Sequence, residues 1–165
     1  MAKKFFWGKP FVKVGKTGPN GEMATSLEQF GEIDENTTTF RQEDGSTESK
    51  KNEQGDTIKV KTTKGDFVVE YDVLVLDLEM LKDTFGGELD TNGLTLDTDG
   101  PVQLSDPYSI EIFGDEGIGL RAPKSDVTVR PEYTADGGLV LHIKHTIIKP
   151  ETGKMYQWFK VVPVG

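Results

Sequence analysis

Apolar residues in this chain recur mainly at a period of two, in short segments bounded by Gly, Pro, Asn or Asp. Alternation of that kind predicts β-strands. "PFVKV" (Pro10 to Val14) is the first, closed by the turn-rich "GKTGPNG". "TTTFRQ" (Thr37 to Gln42) and "TIKVKTT" (Thr57 to Thr63) are expected to be the two arms of a hairpin. In the second arm Ile58 and Val60 share one face while Lys59 and Lys61 share the other, as in a half-buried strand with one wet side. "DFVVEYDVLVL" (Asp66 to Leu76) has the strongest pattern. Phe67, Val69, Tyr71, Val73 and Val75 form one unbroken apolar face. The other carries Val68, Glu70 and Asp72 before turning apolar at Leu74 and Leu76, so its dry end is expected to enter a second contact surface.

The pattern changes to a helical period in "DLEMLKDTFGGE". Asp77 is placed to cap a helix over residues 78–85, Leu78, Leu81 and Phe85 recur on one face, and Gly86 and Gly87 stop it. At about two turns it depends on packing rather than propensity. Further strands are expected in "GLTLDT", "YSIEIFG", "DVTVRPEY", "GGLVLHIKHTIIKP" and "KMYQWFKVVPV", the last two forming a hairpin joined near Lys149 to Lys154. The terminal strand is apolar on both faces, with Met155, Phe159 and Val161 on one and Tyr156, Trp158 and Val162 on the other. That points to an interior strand or a subunit contact. No internal repeat of fixed period is present.

One segment breaks the pattern. "EDGSTESKKNEQGDT", residues 43–57, contains no apolar side chain in fifteen positions. Strands can be joined by two-residue turns, and a long polar excursion without structure of its own is characteristically functional or disordered.

Composition adds boundaries to this reading. A chain of 165 residues fits one domain over 1–165, long enough to bury about 68–70% of its unfolded surface. There is no cysteine, which removes disulfides and thiolate chemistry. "MAKKFFWGKP" has three consecutive apolar residues, too few for a signal peptide, and "VLVL" is far short of a membrane span. A soluble protein made in the cytoplasm, with no membrane partner, is expected. The net charge of −9 is uneven, with five lysines and no acid in residues 1–20, and twenty acids against seven bases in residues 21–100. An acidic body is a poor nucleic-acid ligand. It is either a solubilising surface or the complement of the basic arm on another copy.

Candidate chemistry is sparse. His142 and His145 are three apart in a predicted strand, so they point to opposite faces and cannot share a metal or a carboxylate. "DTDG" (Asp97 to Gly100) resembles the start of a calcium loop, but Pro101 and the missing closing Glu break it. "GDEGIGL" is no phosphate loop, because no helix follows it. The "NTT" at Asn36 has no meaning without secretion. No catalytic residue, metal or cofactor is expected.

One continuous stretch, "GEIDENTTTFRQEDGSTESKKNEQGDTIKVKTTKGDFVVEYDVLVLDLEMLKDTFGG", resembles the first half of the phage major tail tube proteins, whose relatives form the tubes of contractile injection systems. The shared pattern is a Thr-rich strand, a long acidic and Gly-containing loop, a second strand, a Lys/Gly turn, an apolar strand and a short helix ending in Gly. With "WGKPFVKVG" the likeness spans roughly residues 5–87. The resemblance implies a mainly β fold, a β-sandwich or partial barrel with one short flanking α-helix and a long polar hairpin loop. It also implies six copies to a ring, with rings stacking into a hollow tube.

On that expectation the loop, through Asp44, Glu48, Lys50, Lys51, Glu53 and Asp56, reaches the neighbouring ring. The arm, through Lys3, Lys4, Phe5, Phe6, Trp7 and Lys9, contacts another subunit. Glu70 and Asp72 are candidates for a lumen wall along which DNA slides without specific binding. The partners would be further copies of the chain and other tail proteins, and the product a virion tail or injection apparatus assembled in the host cell. The alternatives are a monomeric β-sandwich binding or adhesion module, and another phage part such as a tail-terminator or head–tail joining protein.

Overall fold

The alternating segments assemble into antiparallel sheet. The computed structural model describes residues 10–96, 103–114 and 117–161. In chain order the strands are β1 (Phe11–Lys16), β2 (Thr39–Gln42), β3 (Thr47–Lys51), β4 (Thr57–Thr62) and β5 (Phe67–Leu74). The helix α1 (Leu78–Phe85) follows, then β6 (Glu88–Asp90), β7 (Gly93–Thr95), β8 (Tyr108–Phe113), β9 (Gly117–Thr134), β10 (Gly138–Ile147) and β11 (Gln157–Val161). The main sheet runs in the order β1-β8-β9-β10-β5-β2, with β11 also paired to β9. β3–β4 and β6–β7 are separate two-stranded ribbons.

β9 organises the fold. It is 18 residues long and changes partners along its length. Gly117 to Arg121 pairs with β11, Leu120 to Ser125 with β8, and Ser125 to Thr134 with β10. One strand therefore serves two layers, and the space between them is filled by alternate residues of both. Val12 and Val14 of β1, Ile110 and Ile112 of β8, Leu120 and Val127 of β9, Leu141 and Ile143 of β10, and Val69, Tyr71 and Val73 of β5 form one buried cluster. The segment between β1 and β2 stitches the open edges together. Glu28 exchanges both backbone hydrogen bonds with Val14, and Ile33 bridges Val73. The outcome is a mainly β fold of antiparallel sheet around one core, with β1 and β2 at the ends of the main sheet.

The helix forms over the residues expected. The Asp77 carboxylate accepts from the Met80 N–H at 2.9 Å, and Gly86 ends the helix at φ +81°. Met80, Leu81 and Phe85 pack on the core, whereas Leu78, expected on the same stripe, faces outward. Its side chain points away because the apolar stripe of so short a helix is filled by the residues that follow.

Four expectations are corrected. The arms "TTTFRQ" and "TIKVKTT" do not pair with each other: β2 pairs with β5, and β4 pairs with β3. The polar stretch 43–57 is not structureless, since it contains β3. Ile58 and Val60 are not half-buried, because β4 is exposed along its whole length. The last two strands form no hairpin either: β10 pairs with β5 and β9, while β11 returns to the far end of β9. There Trp158 closes a group of aromatics with Phe40, Phe67 and Tyr156, with ring centroids 5.1–6.3 Å apart. Those contacts account for the Tyr156–Trp158 face, while on the other face Phe159 packs against Phe113 and Val161 is buried; Val162 lies outside the described residues. Of the remaining sequence expectations, "DTDG" lies outside the described residues.

Candidate interaction surface

Among the described residues β3 and β4 form a ribbon that buries nothing else, every residue of both strands being exposed. The ribbon continues the β2–β5 pairing. Glu43 N–H donates to Asp66 O at 2.8 Å, and Thr63 N–H donates to Ser46 O at 2.8 Å. Between these bonds the two chains cross at Gly45 and Gly65. A Cβ on Gly45 would lie 1.4 Å from Thr63 O, and one on Gly65 would lie 2.0 Å from Glu43 O. Only glycine permits that approach, and the pair sets the direction in which the ribbon leaves the body.

The tip is tightly bonded. Asn52 N–H donates to Asp56 O, the Asn52 side-chain oxygen accepts from Asp56 N–H, each at 2.9 Å, and Gly55 takes φ +89°. The paired register places Ser49 opposite Val60, Thr47 opposite Thr62, Lys50 opposite Lys59 and Glu48 opposite Lys61. One face of the ribbon therefore carries Thr47, Ser49, Ile58, Val60 and Thr62, with Lys51 as its one charge where the register shifts. The other carries Glu48, Lys50, Lys59 and Lys61. Ile58 is 66% exposed and Val60 54% exposed. Covering them contributes roughly 1–2 kcal/mol each, scaled from the value for full burial. A two-stranded hairpin alone in water is at best marginally stable, so this surface suits a partner.

The polar residues expected in a contacting loop divide along the ribbon. Asp44 precedes the crossing, Glu48, Lys50 and Lys51 lie on β3, and Glu53 and Asp56 lie in the tip, all exposed. Sequence reasoning placed these charges correctly in an exposed excursion but missed Ile58 and Val60, having assigned them to the core. The arm residues Lys3, Lys4, Phe5, Phe6, Trp7 and Lys9 lie outside the described residues.

Glu70 and Asp72 do share the outward face of β5, but they do not make a bare acidic wall. Arg41 Nη1 donates to Glu70 Oε2 at 2.8 Å and pulls that carboxyl below its usual range. His142 lies between Asp72 and Glu132, with Nδ1 on Asp72 Oδ1 and Nε2 on Glu132 Oε2. Two carboxylates that only accept need two donors, so the ring bridges both as imidazolium. Glu132 first, and Asp72 with it, hold its pKa above the ordinary histidine value. Glu70, Asp72, Glu132 and His142, with Arg130 and Lys144, line a groove of about 460 Å³.

The other histidine has the opposite environment. His145 is buried, with Ser125 Oγ 3.0 Å from Nδ1 and Tyr71 Oη 2.8 Å from Nε2. Ser125, His145 and Tyr71 are all at most 1% exposed, which makes this Ser–His–Tyr chain part of the core. Among the described residues no group of three or more His, Cys, Asp or Glu is arranged to hold a metal. None of their helices is long and apolar enough to cross a membrane. No protein-family model matches the chain, and no curated protein matches it.

Proposed function

We propose that this chain is a non-enzymatic structural subunit that self-associates into rings, six copies to a ring, which stack into a hollow tube of the phage-tail or injection type. The observation that carries this reading is the ribbon β3–β4. Its defined tip and crossing make it a specific shape, yet among the described residues it packs on nothing else, and it exposes two apolar side chains on a face whose one charge is Lys51. A second copy supplies what the ribbon lacks, and closed symmetry makes one such contact repeat around every ring. The resemblance of residues 5–87 to tail tube proteins agrees with this. The assembly would form in the cytoplasm of the host cell and join other tail proteins in the virion. No cofactor has a role in it, and nucleic acid passes through without sequence-specific contacts.

The test is negative-stain microscopy together with sedimentation velocity over a concentration series. Rings or tubes are expected. A single species of monomer size at every concentration overturns the proposal in favour of a monomeric β-sandwich binding module.

A further inference from the structure

Arg121 stands on the face of β9 opposite Leu120 and Ala122, which are buried in the core. Among the described residues its Nε is the one buried side-chain nitrogen or oxygen without a hydrogen-bond partner. Glu111, its register partner on β8, brings Oε2 to 3.7 Å, near enough to attract the guanidinium and too far to accept from it. The guanidinium carbon lies 4.1 Å from the centre of the Phe159 ring, a cation–π contact that fixes its position. A Cβ on Gly119 would clash with that ring, so glycine leaves the space the ring occupies. The Arg121 side chain is nonetheless 39% exposed. The guanidinium is held in place and carries more donor capacity than the fold uses.

Arg121 also lines a pocket of about 510 Å³, a usual size for a small-molecule site. The apolar lining comes from Met23, Pro123 and Tyr156, and the charges on it are Arg121 and Lys154 against Glu22. With Glu111 counted, positive and negative charges balance here, in a chain of net charge −9. Lys124 and Glu151, next to the lining, are paired with each other. The walls are tied together by the chain itself. Thr17 Oγ1 donates to Pro123 O at 2.7 Å, and Thr152 Oγ1 donates to Asn20 O at 2.9 Å. Tyr156 is fixed between Phe67 and Trp158, with ring centroids 5.1 Å and 6.3 Å away. The pocket is therefore preformed, and a ligand entering it has little to order.

We infer that this pocket binds a small organic carboxylate, with its anionic end on the Arg121 guanidinium and an apolar body against Met23, Pro123 and Tyr156. A guanidinium presents its donors as a planar fork that matches the two oxygens of a carboxylate. A neutral ligand would leave that fork unused. Inorganic phosphate would leave the apolar lining uncovered and bring a second negative charge towards Glu22. A single negative charge on an apolar body suits both parts of the lining. The inference stands apart from the self-assembly proposed above.

Equilibrium dialysis of the full chain against radiolabelled phenylacetate tests this in whatever assembly state the chain adopts. Saturable binding is expected. Phenylacetamide keeps the apolar body without the charge, and is expected to compete about tenfold less well, the factor that a hydrogen bond to a charged group supplies. Acetate, with the charge and no such body, and inorganic phosphate are expected to compete less well than unlabelled phenylacetate. Arg121→Gln should weaken binding by about the same tenfold, while Arg130→Gln, an exposed arginine further along β9, should leave it unchanged. Circular dichroism checks that each variant folds. The amide comparison uses the wild-type chain, so it decides the matter even if Arg121→Gln does not fold. Absence of saturable binding, equal competition by the amide and the carboxylate, or equal binding to Arg121→Gln and wild type overturns the site. Acetate or phosphate competing as well as phenylacetate overturns the ligand class.

Discussion

Tyr71 and His145 are hydrogen-bonded across β5 and β10 inside the core, Oη to Nε2 at 2.8 Å, with their rings stacked 5.5 Å apart. The bond dictates a tautomer. Ser125 Oγ gives its only proton to Tyr108 O at 2.8 Å, so it accepts from His145 Nδ1–H. Nε2 is then bare and accepts from the Tyr71 hydroxyl, leaving the ring neutral with both nitrogens satisfied. Burial alone lowers the His145 pKa to about 3, and burial, with Tyr108 beside it, pushes the Tyr71 hydroxyl strongly upward, so neither group ionises near neutrality.

Acid should therefore destabilise the fold through His145. Unfolded, the ring binds a proton below about 6.5, whereas folded it resists protonation down to about 3. Stability present above the unfolded value is lost as the pH falls, by about 1.4 kcal/mol for each unit within that window. Urea unfolding of wild type and His145→Leu between pH 6.5 and pH 5 checks this, above the range where most carboxylates titrate. The wild-type slope should be steeper by about one proton, and identical slopes would refute the assignment. Tyr71→Phe, which leaves Nε2 unpaired in the core, should cost about 1–3 kcal/mol at neutral pH.

His142, three residues earlier on the opposite face, should behave in the reverse sense. Its pKa is raised by Glu132 and Asp72, so what the bridge contributes is complete below the unfolded value and disappears as the pH rises through the raised one. Glu70 with Arg41, Glu43 with Lys144, Arg130 and, further along β9, Asp126 are the other charges on that face among the described residues. A proton resonance titration of the two rings separates the effects: the His142 midpoint should lie above 6.5, and the His145 ring should not titrate above pH 5. In His142→Gln the alkaline-side loss should be absent.

These two histidines also indicate how far the sequence could be read. Their opposite faces followed from strand parity alone, as did the core of β5 and the cap, span and stop of α1, because each rests on residues within one or two turns of chain. Their partners did not follow. Asp72, Glu132, Ser125 and Tyr71 are brought up by strand pairing, and a wrong pairing had been read for neighbouring segments. β11 was assigned to β10 by proximity in sequence, when it pairs with the start of β9, where Trp158 meets Phe40 of β2 and Tyr156 meets Phe67 of β5. The ribbon failed for another reason. Alternation at Ile58 and Val60 is the same whether the apolar face meets a core or awaits a partner. The signal that could have separated the cases was Gly45 and Gly65, one within the polar stretch and one after β4, where the two chains cross.

The crossing itself is testable. Gly45→Ala and Gly65→Ala each place a methyl group within 2.0 Å of a backbone oxygen on the facing chain, so the chains must part and the ribbon must leave at another angle. No core residue lies on the ribbon, so the thermal midpoint should change little. Assembly by sedimentation should be lost, and trypsin should cut faster after Lys50 and Lys51. Unaltered assembly in both variants would mean that the direction of the ribbon is irrelevant.

The apolar and charged faces of the ribbon should fail differently. Ile58→Glu with Val60→Glu removes the covered surface of one copy, roughly 2–4 kcal/mol per contact, scaled from full burial. Assembly should then be lost at any salt concentration. Lys59→Glu with Lys61→Glu leaves the apolar pair intact and reverses only exposed charges, each worth about 0–1 kcal/mol. Its defect should be largest at low salt and shrink as salt screens the new repulsion over a Debye length of about 8 Å at physiological strength. The same comparison applies to Lys3, Lys4 and Lys9 exchanged for Glu, where the expectation rests on their charge in the sequence. Sedimentation of assembled material against salt reads all three variants at once. A salt-dependent defect in the lysine variants beside a salt-independent one in the apolar variant is the expected pattern. If the lysine variants sediment like wild type at every salt concentration, those lysines do no more than keep the chain in solution.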